Sequence, residues 1–171
     1  QGSPHLIGSK ILLFGGKDAS DNHMSQVLQF DLATGQWTSK TAMPTARHGM
    51  KTVAVGDKVW VIGGAQGNPS GNSDKVEIYD YTNDSWSAGP TLTTARNWPS
   101  VWLSNGRIYA ASGMIGGGVL NSVEVYDSDA NQWAAAGILP EPKYSSDSAI
   151  LNNKVYVAAG KRNSNTFSDK V

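Results

Sequence analysis

The sequence predicts an all-β chain assembled from repeated four-stranded antiparallel units, and three observations predict it. A strand-like segment recurs in phase: Val27 to Trp37 reads VLQFDLATGQW, Val76 to Trp86 reads VEIYDYTNDSW, and Val123 to Trp133 reads VEVYDSDANQW. In each, an aromatic and an Asp precede a Trp, and the three tryptophans lie 49 and 47 residues apart. A second segment keeps the same phase. KILLFGG, KVWVIGG, RIYAASG and KVYVAAG each end on a glycine, and Gly16, Gly64, Gly113 and Gly160 are spaced by 48, 49 and 47 residues. The third observation is punctuation: short apolar or alternating runs are separated by Gly, Asn, Asp and Ser, which marks strands rather than helices. A fixed period of this size means a unit that cannot bury its own faces and must stack on its neighbours.

The copy over residues 47 to 95 shows each element in order. His48 to Val55 is expected as a first strand and Gly56-Asp57 as a tight turn. Lys58 to Gly64 follows as a second, strongly apolar strand. Residues 65 to 74 read as a loop of Gly, Asn, Pro and Ser. Lys75 to Asp80 is the third strand, Thr82-Asn83-Asp84 a turn, and Ser85 to Ala88 a short fourth strand carrying Trp86. The turns Gly8-Ser9, Asn105-Gly106 and Asn152-Asn153 fall at equivalent positions and tolerate positive φ. Phe30, Tyr79, Tyr126 and the three tryptophans are expected in the core between units, and Asp31, Asp80 and Asp127 are expected to accept turn amides.

Four antiparallel strands every ~50 residues are the plan of a propeller blade. With a glycine pair ending the second strand, Tyr-Asp on the third and Trp on the fourth, the chain resembles kelch-repeat proteins over nearly all of its length. The resemblance implies an all-β propeller of four-stranded antiparallel kelch blades. Ser112 and Ala159 stand where two of the repeats would carry the first glycine. Repeat phases fall at about 4–46, 47–95, 96–142 and 143–171, with Gln1-Gly2-Ser3 expected to be foreign to the native chain and outside the repeat. Pro4 aligns inside a first strand, and Ser168 to Val171 repeats the SDKV of Ser73 to Val76, so both ends are expected to cut a blade. About three and a half blades result, an incomplete ring. Its raw edges, with Val155, Val157 and Ile150 exposed, predict pairing with a second copy of the chain or with the remainder of a propeller.

Composition excludes several function classes. Fourteen basic and fourteen acidic residues balance to zero net charge, so no nucleic-acid footprint is expected. No apolar run is long enough for a membrane span. Cysteine is absent, which removes disulfides, thiol nucleophiles and thiolate metal sites. None of this places the protein in a cellular compartment. Asp18, Asp21 and His23 share one loop and could offer oxygen and nitrogen to a cation, but the loop lacks a ligand ladder. No metal or cofactor is expected.

The candidate binding face comes from loops that a propeller would gather around its channel. Loops entering the first strands read MPTARHGM, LTTARNWPS and LPEPKYSS. In them Arg47, Arg96 and Lys143 recur in register, and variable residues follow: His48, Asn97 with Trp98, and Tyr144. The cations either meet a ligand or tie loops together. The loops after the second strands add Lys17, Gln66, Asn68, Met114 and Arg162. Variable residues on a repeated scaffold can carry specificity without disturbing the core. The expected function is therefore binding of a protein or peptide, with an anionic peptide suited to the arginines. A carbohydrate-binding or sugar-active propeller is the alternative, with Arg96, His48 and Glu141 as available groups, and a purely structural segment is a third reading. Some propellers resembling this one are copper radical oxidases. At the position where those enzymes crosslink a Tyr to a Cys, this chain has Trp98 and no cysteine, which disfavours that chemistry and any enzymatic reading built on it.

Overall fold

The computed structural model describes residues 2–67, 71–163 and 166–169, and contains no helix among them. Three four-stranded antiparallel meanders and a two-stranded sheet follow one another along the chain. The first comprises β1 (Ser3–Ile7), β2 (Lys10–Lys17), β3 (His23–Asp31) and β4 (Gln36–Lys40). The second comprises β5 (Lys51–Val55), β6 (Lys58–Ile62), β9 (Val76–Asp80) and β10 (Ser85–Ala88), with a small hairpin of β7 (Ala65–Gln66) and β8 (Gly71–Asn72) set between. The third comprises β11 (Ser100–Ser104), β12 (Arg107–Ala111), β15 (Ser122–Asp127) and β16 (Gln132–Ile138), again with a small hairpin, β13 (Met114–Ile115) and β14 (Gly118–Val119). The pair β17 (Asp147–Leu151) and β18 (Lys154–Ala158) begins a fourth.

Neighbouring sheets meet through their first strands: β1 lies beside β5, β5 beside β11, and β11 beside β17. These four strands form the inner wall, where hydroxyls link successive blades. Ser3 Oγ and Thr52 Oγ1 are 3.0 Å apart, Ser100 Oγ and Ser146 Oγ 2.7 Å, and the Ser148 hydroxyl donates to the Val101 carbonyl at 3.1 Å. The turns supply the curvature that the sequence asked for. Asn105-Gly106 and Asn152-Asn153 have φ of 50° and 73°, and 50° and 57°. Left-handed residues at both centres of a two-residue hairpin match the twist of its strands.

The core lies between blades, not within them. Leu12, Phe14 and Val27 of the first sheet pack against Val59, Val61 and Tyr79 of the second, with Met43 and Met50 of the connecting loop closing the seam. Val53, Trp60, Ile62 and Val76 repeat the arrangement against Ile108, Ala110 and Trp133 of the third. Each such large apolar side chain taken out of water contributes about 1.5–3 kcal/mol. Alternation along each strand sends one set of side chains to the blade before and the other to the blade after. The aspartates behave as expected. Asp31 accepts from Ala33 N, Asp80 from Asn83 N and Asp127 from Asp129 N, all at 2.9 to 3.0 Å. Asp80 also pairs with Lys58 at 2.8 Å, which holds its carboxyl well below the usual carboxylate range.

Several expectations need correction. The first strand of the second blade starts at Lys51, not His48, because Gly49 takes φ of 64° and turns the chain before the ladder begins. The second strand ends at Ile62 and the third begins at Val76. The expected loop over 65–74 contains the β7–β8 hairpin. The first blade is a complete sheet that begins at Ser3, which pairs with Phe14 and is buried. Trp37 is 53 % exposed, whereas Trp133 is 4 % exposed. The reason is positional. The Trp86 indole donates to the Thr41 carbonyl and the Trp133 indole to the Pro90 carbonyl, both at 2.9 Å, and both acceptors lie in the connection leaving the preceding blade. Among the described residues no such connection receives the Trp37 indole, whose ring leans on Phe30 (ring centroids 4.9 Å). Val157 is buried because it faces the third blade, so of the expected exposed set only Ile150 is strongly exposed.

Candidate functional site at the hub

Register fixes which loops share an end of the molecule. Lys51, the first residue of β5, pairs with Ile62, the last of β6, so the loop entering β5 and the loop leaving β6 emerge together. Ser100 and Ala111 repeat this in the third blade, and Asp147 and Ala158 in the fourth. Isolated bridges then tie the two kinds of loop: His48 to Ala65, Asn97 to Met114, and Tyr144 to Lys161.

The recurrent cations point inward. Arg47 and Arg96 have no exposed surface. The Arg47 guanidinium donates to the carbonyls of Gly63 (2.6 Å) and Lys75 (3.0 Å) and pairs with Glu77 at 2.7 Å. Arg96 donates to the carbonyls of Ser112 (3.0 Å) and Ser122 (3.1 Å) and pairs with Glu124 at 2.6 Å. Burial lowers both guanidinium pKa values and the partner glutamate opposes the shift. Their backbones act too: the Arg47, Arg96 and Lys143 carbonyls accept the N–H of Gly16, Gly64 and Gly113 of the preceding blade at 2.9, 2.8 and 2.8 Å. Each position therefore staples two blades, with its main chain on one and its side chain in the next. Lys143, nearly buried, pairs with Glu141 at 3.4 Å and donates to the Val157 carbonyl at 3.3 Å. The expected display of Arg47 and Arg96 to a ligand is thereby replaced by an internal role, since a guanidinium with these partners has no face left for solvent.

The residues that follow the cations are brought together. His48 stands edge-on between His23 (4.8 Å between centroids) and Trp98 (5.6 Å), and Trp98 leans on Tyr144 at 5.8 Å. Four rings from successive blades thus make one row along the hub. The backbone beneath them is continuous: Trp98 N donates to the Gly49 carbonyl at 2.7 Å, and Ser145 N to the Trp98 carbonyl at 3.2 Å. Gly49, Trp98 and Ser145 hold equivalent positions with φ of 64°, 51° and 53°. Glycine is required at the first. A Cβ on Gly49 would lie 2.1 Å from Asn97 Oδ1 and 2.8 Å from Trp98 Nε1. A left-handed backbone under a residue as large as Trp is strained, and such strain collects at functional sites.

The loops at this end carry buried side-chain atoms without partners, Arg47 Nε and Arg162 Nε among them. His48 and Asn97 are 3 % and 6 % exposed, yet His48 Nδ1 and Asn97 Oδ1 form no hydrogen bond, and neither does Gln66 Oε1. The half-buried Trp98 has no hydrogen bond to its indole N–H among the described residues. Beside the row, a cleft of about 540 Å³ opens between the first two blades, lined by Lys17, Ser20, Asp21, Asn22, His23 and Gly67 among others. Lys17 pairs with Asp21 at 2.8 Å, and Asp18 accepts the amides of Ser20 and Asn22 at 2.9 Å. These bonds lower both carboxyl pKa values. His23 Nδ1 bonds the Ala65 carbonyl at 2.8 Å. Among the described residues no group of three acidic or histidine side chains could hold a metal. Met114 borders Asn97 through its backbone, and Arg162, in the segment that bridges Tyr144, pairs with Glu141 at 2.8 Å and Asp169 at 3.3 Å. Asn68 lies outside the described residues.

Comparison with known proteins decides the family. The model described as "KLHDC2/KLHL20/DRC7 Kelch-repeats domain" matches residues 3–160. The chain belongs to the kelch-repeat family. Among kelch relatives, it is 29 % identical to beta-scruin of Limulus polyphemus over 113 residues, which are 63 % of this chain and 12 % of that protein. It is 38 % identical to human Kelch-like protein 22 over 68 residues, 39 % of this chain and 11 % of that one. The structure of YjhT superposes with a TM-score of 0.83 at 14 % identity, over 97 % of this chain and 58 % of that chain, which shows the shared propeller fold. The chain thus spans a small part of the curated relatives it matches. One departure from the kelch glycine pair is absorbed locally. Ser112 keeps the left-handed φ of the glycine it replaces, and its hydroxyl joins Ser146 Oγ at 3.3 Å.

The hub histidine gives a pH signature. Burial, then the nearby Lys17 and His23, push His48 down from 6.5 to about 4. The unfolded chain therefore takes up this proton before the folded one does. His48 places no penalty on stability above pH 6.5, and stability declines as pH falls from there toward 4. His5, also lowered by burial, adds in the same sense. Urea midpoints of the wild type should fall across this window more steeply than those of His48→Phe, which keeps the ring packing and cannot titrate. Parallel curves for the two proteins would contradict the assignment.

Proposed function

We propose that this kelch segment is a binding module that receives a peptide or a protein loop on the hub face formed by His48, Asn97, Trp98 and Tyr144. The observation that carries this reading is the pair of buried, unpartnered atoms, His48 Nδ1 and Asn97 Oδ1, on residues beside one strained, half-buried tryptophan. A buried acceptor without a donor costs about 1–3 kcal/mol, a cost that an incoming ligand group would relieve. Tryptophan is also the residue type most often dominant in an interface. The arginines contribute by holding the loops rigid, and their charge is engaged by Glu77 and Glu124 inside the blades. The test is selection of peptides from a random display library on the immobilised chain, followed by affinity measurement with Trp98→Ala. A loss of at least tenfold, about 1.4 kcal/mol, is expected. Equal binding by wild type and Trp98→Ala would place the site elsewhere.

A further inference from the structure

The chemistry left open at the hub is specific enough to name a ligand group. Two buried polar atoms beside Trp98 lack partners, His48 Nδ1 and Asn97 Oδ1, and the indole N–H of the half-buried Trp98 makes no hydrogen bond among the described residues. Asn97 Oδ1 and Trp98 Nε1 both pack against Gly49, 2.1 and 2.8 Å from where a Cβ would stand, and the His48 ring meets the Trp98 ring edge-on. The indole can only donate and the Asn97 oxygen can only accept. A neutral His48 with its proton on Nε2 also accepts at Nδ1. The face therefore asks for one acceptor and two donors. Three of the cations that could have demanded an anion are already engaged: Arg47 and Arg96 are closed into ion pairs with Glu77 and Glu124, and Lys17 is paired with Asp21.

We infer that the hub recognises a primary carboxamide, the side chain of an Asn or Gln in an uncharged peptide segment, held between the Trp98 N–H, the Asn97 carbonyl oxygen and His48 Nδ1. A carboxamide offers one carbonyl oxygen and two N–H groups on a planar frame. That is the complement of the three atoms, and the plane suits contact with the indole and the Tyr144 ring. The isosteric carboxylate of Glu or Asp offers no donor, so it leaves two protein acceptors unmet and places its charge against them. A site built to meet hydrogen-bonding groups rejects the analogue that lacks them more strongly than an apolar pocket rejects a missing methylene. Trp98 is the accessible part of the arrangement. It is half-buried while His48 and Asn97 are nearly sealed, so the ligand reaches the two acceptors beside or beneath the indole.

This inference rests on the proposed function, and the experiment separates the two. Fluorescently labelled peptides with a central Gln, Asn, Glu, Asp or Leu in an Ala-Ser-Gly frame are titrated against the full 171-residue chain at pH 7.5 by anisotropy, together with the peptides selected by display and their Gln→Glu and Asn→Asp versions. The amide is expected to bind at least tenfold more tightly than its isosteric acid. His48→Phe and Asn97→Ala should each shrink that preference toward unity. Either variant suffices if the other fails to fold, which circular dichroism shows directly. Acidic peptides that match or exceed their amide partners would overturn the carboxamide assignment and leave the binding module standing. Peptides that bind with a preference unaffected by both folded variants would also overturn it. Binding by none of the peptides, including the display selection, would bring down both readings.

Discussion

Replacing Arg96 with Ala is expected to destabilise the chain by about 3 to 5 kcal/mol, the range for breaking a buried ion pair by removing one partner. Three losses combine. Glu124, 2 % exposed, is left as a buried carboxylate whose surviving partners are the amides of Thr93 and Thr94. The carbonyls of Ser112 and Ser122 lose their shared donor. A cavity opens where the guanidinium and its stem had filled the seam of the third blade. The paired replacement Arg96→Met with Glu124→Leu should recover much of the loss, because exchanging both members of a buried pair for apolar residues of similar volume is often neutral. Urea midpoints of the three proteins decide the matter. If Arg96→Ala keeps the wild-type midpoint and loses only ligand affinity, the arginine belongs to the binding face after all.

The second large effect separates three tryptophans that the sequence makes look equivalent. Trp133→Ala and Trp86→Ala are expected to cost about 3 to 5 kcal/mol each, as large aromatic truncations in packed cores do. Trp133 is 4 % exposed against Ile62 and Ile108, and Trp86 packs edge-on to Phe14 at 5.9 Å; each also holds a carbonyl of the preceding connection. Trp37→Ala should cost well under half as much, since its ring is 53 % exposed. Thermal or urea unfolding of the three variants gives the order. Measured across a dilution series, the Trp37 effect also reports assembly. If a second copy covers Trp37 in solution, its cost grows with concentration. Equal costs for all three at every concentration would contradict the structural ranking.

The blades were legible because their signal is long-range and redundant. Glycine, Tyr-Asp and Trp recur in one phase, and a strand register that slipped by a residue would turn Val59, Val61 and Tyr79 away from the seam. The short hairpins at Ala65–Gln66 with Gly71–Asn72 and at Met114–Ile115 with Gly118–Val119 were not legible. Two-residue strands carry no periodicity, and their composition is that of a loop. The site was half legible. Position along the repeat found His48, Asn97, Trp98 and Tyr144, but it could not show which way Arg47 and Arg96 point. A usable signal was present. Val-Glu recurs on the third strand as Val76-Glu77 and Val123-Glu124, and each glutamate follows an arginine by 30 or 28 residues. Leu28 replaces it on β3 in the first blade, where no arginine precedes. A cation and an anion that appear and disappear together in a repeat indicate a bonded pair. Loop composition shows His23 only as a possible cation ligand, because its place in the aromatic row depends on the β3 register.

Arg47 and Arg96 are struts and not ligand contacts, and side-chain NMR tests this most directly. Solvent exchange of the guanidinium N–H protons can be compared among Arg47, Arg96, Arg107 and Arg162 in one ¹⁵N-arginine sample. Arg107 is exposed and Arg162 is partly exposed, so their signals serve as internal references. The expected result is resolved, slowly exchanging Nη–H resonances for Arg47 and Arg96, unchanged when a hub peptide is added, against averaged and fast-exchanging signals for Arg107. Arg47 and Arg96 signals that average and exchange as quickly as those of Arg107, or that shift on peptide binding while His48 and Trp98 do not, would contradict it.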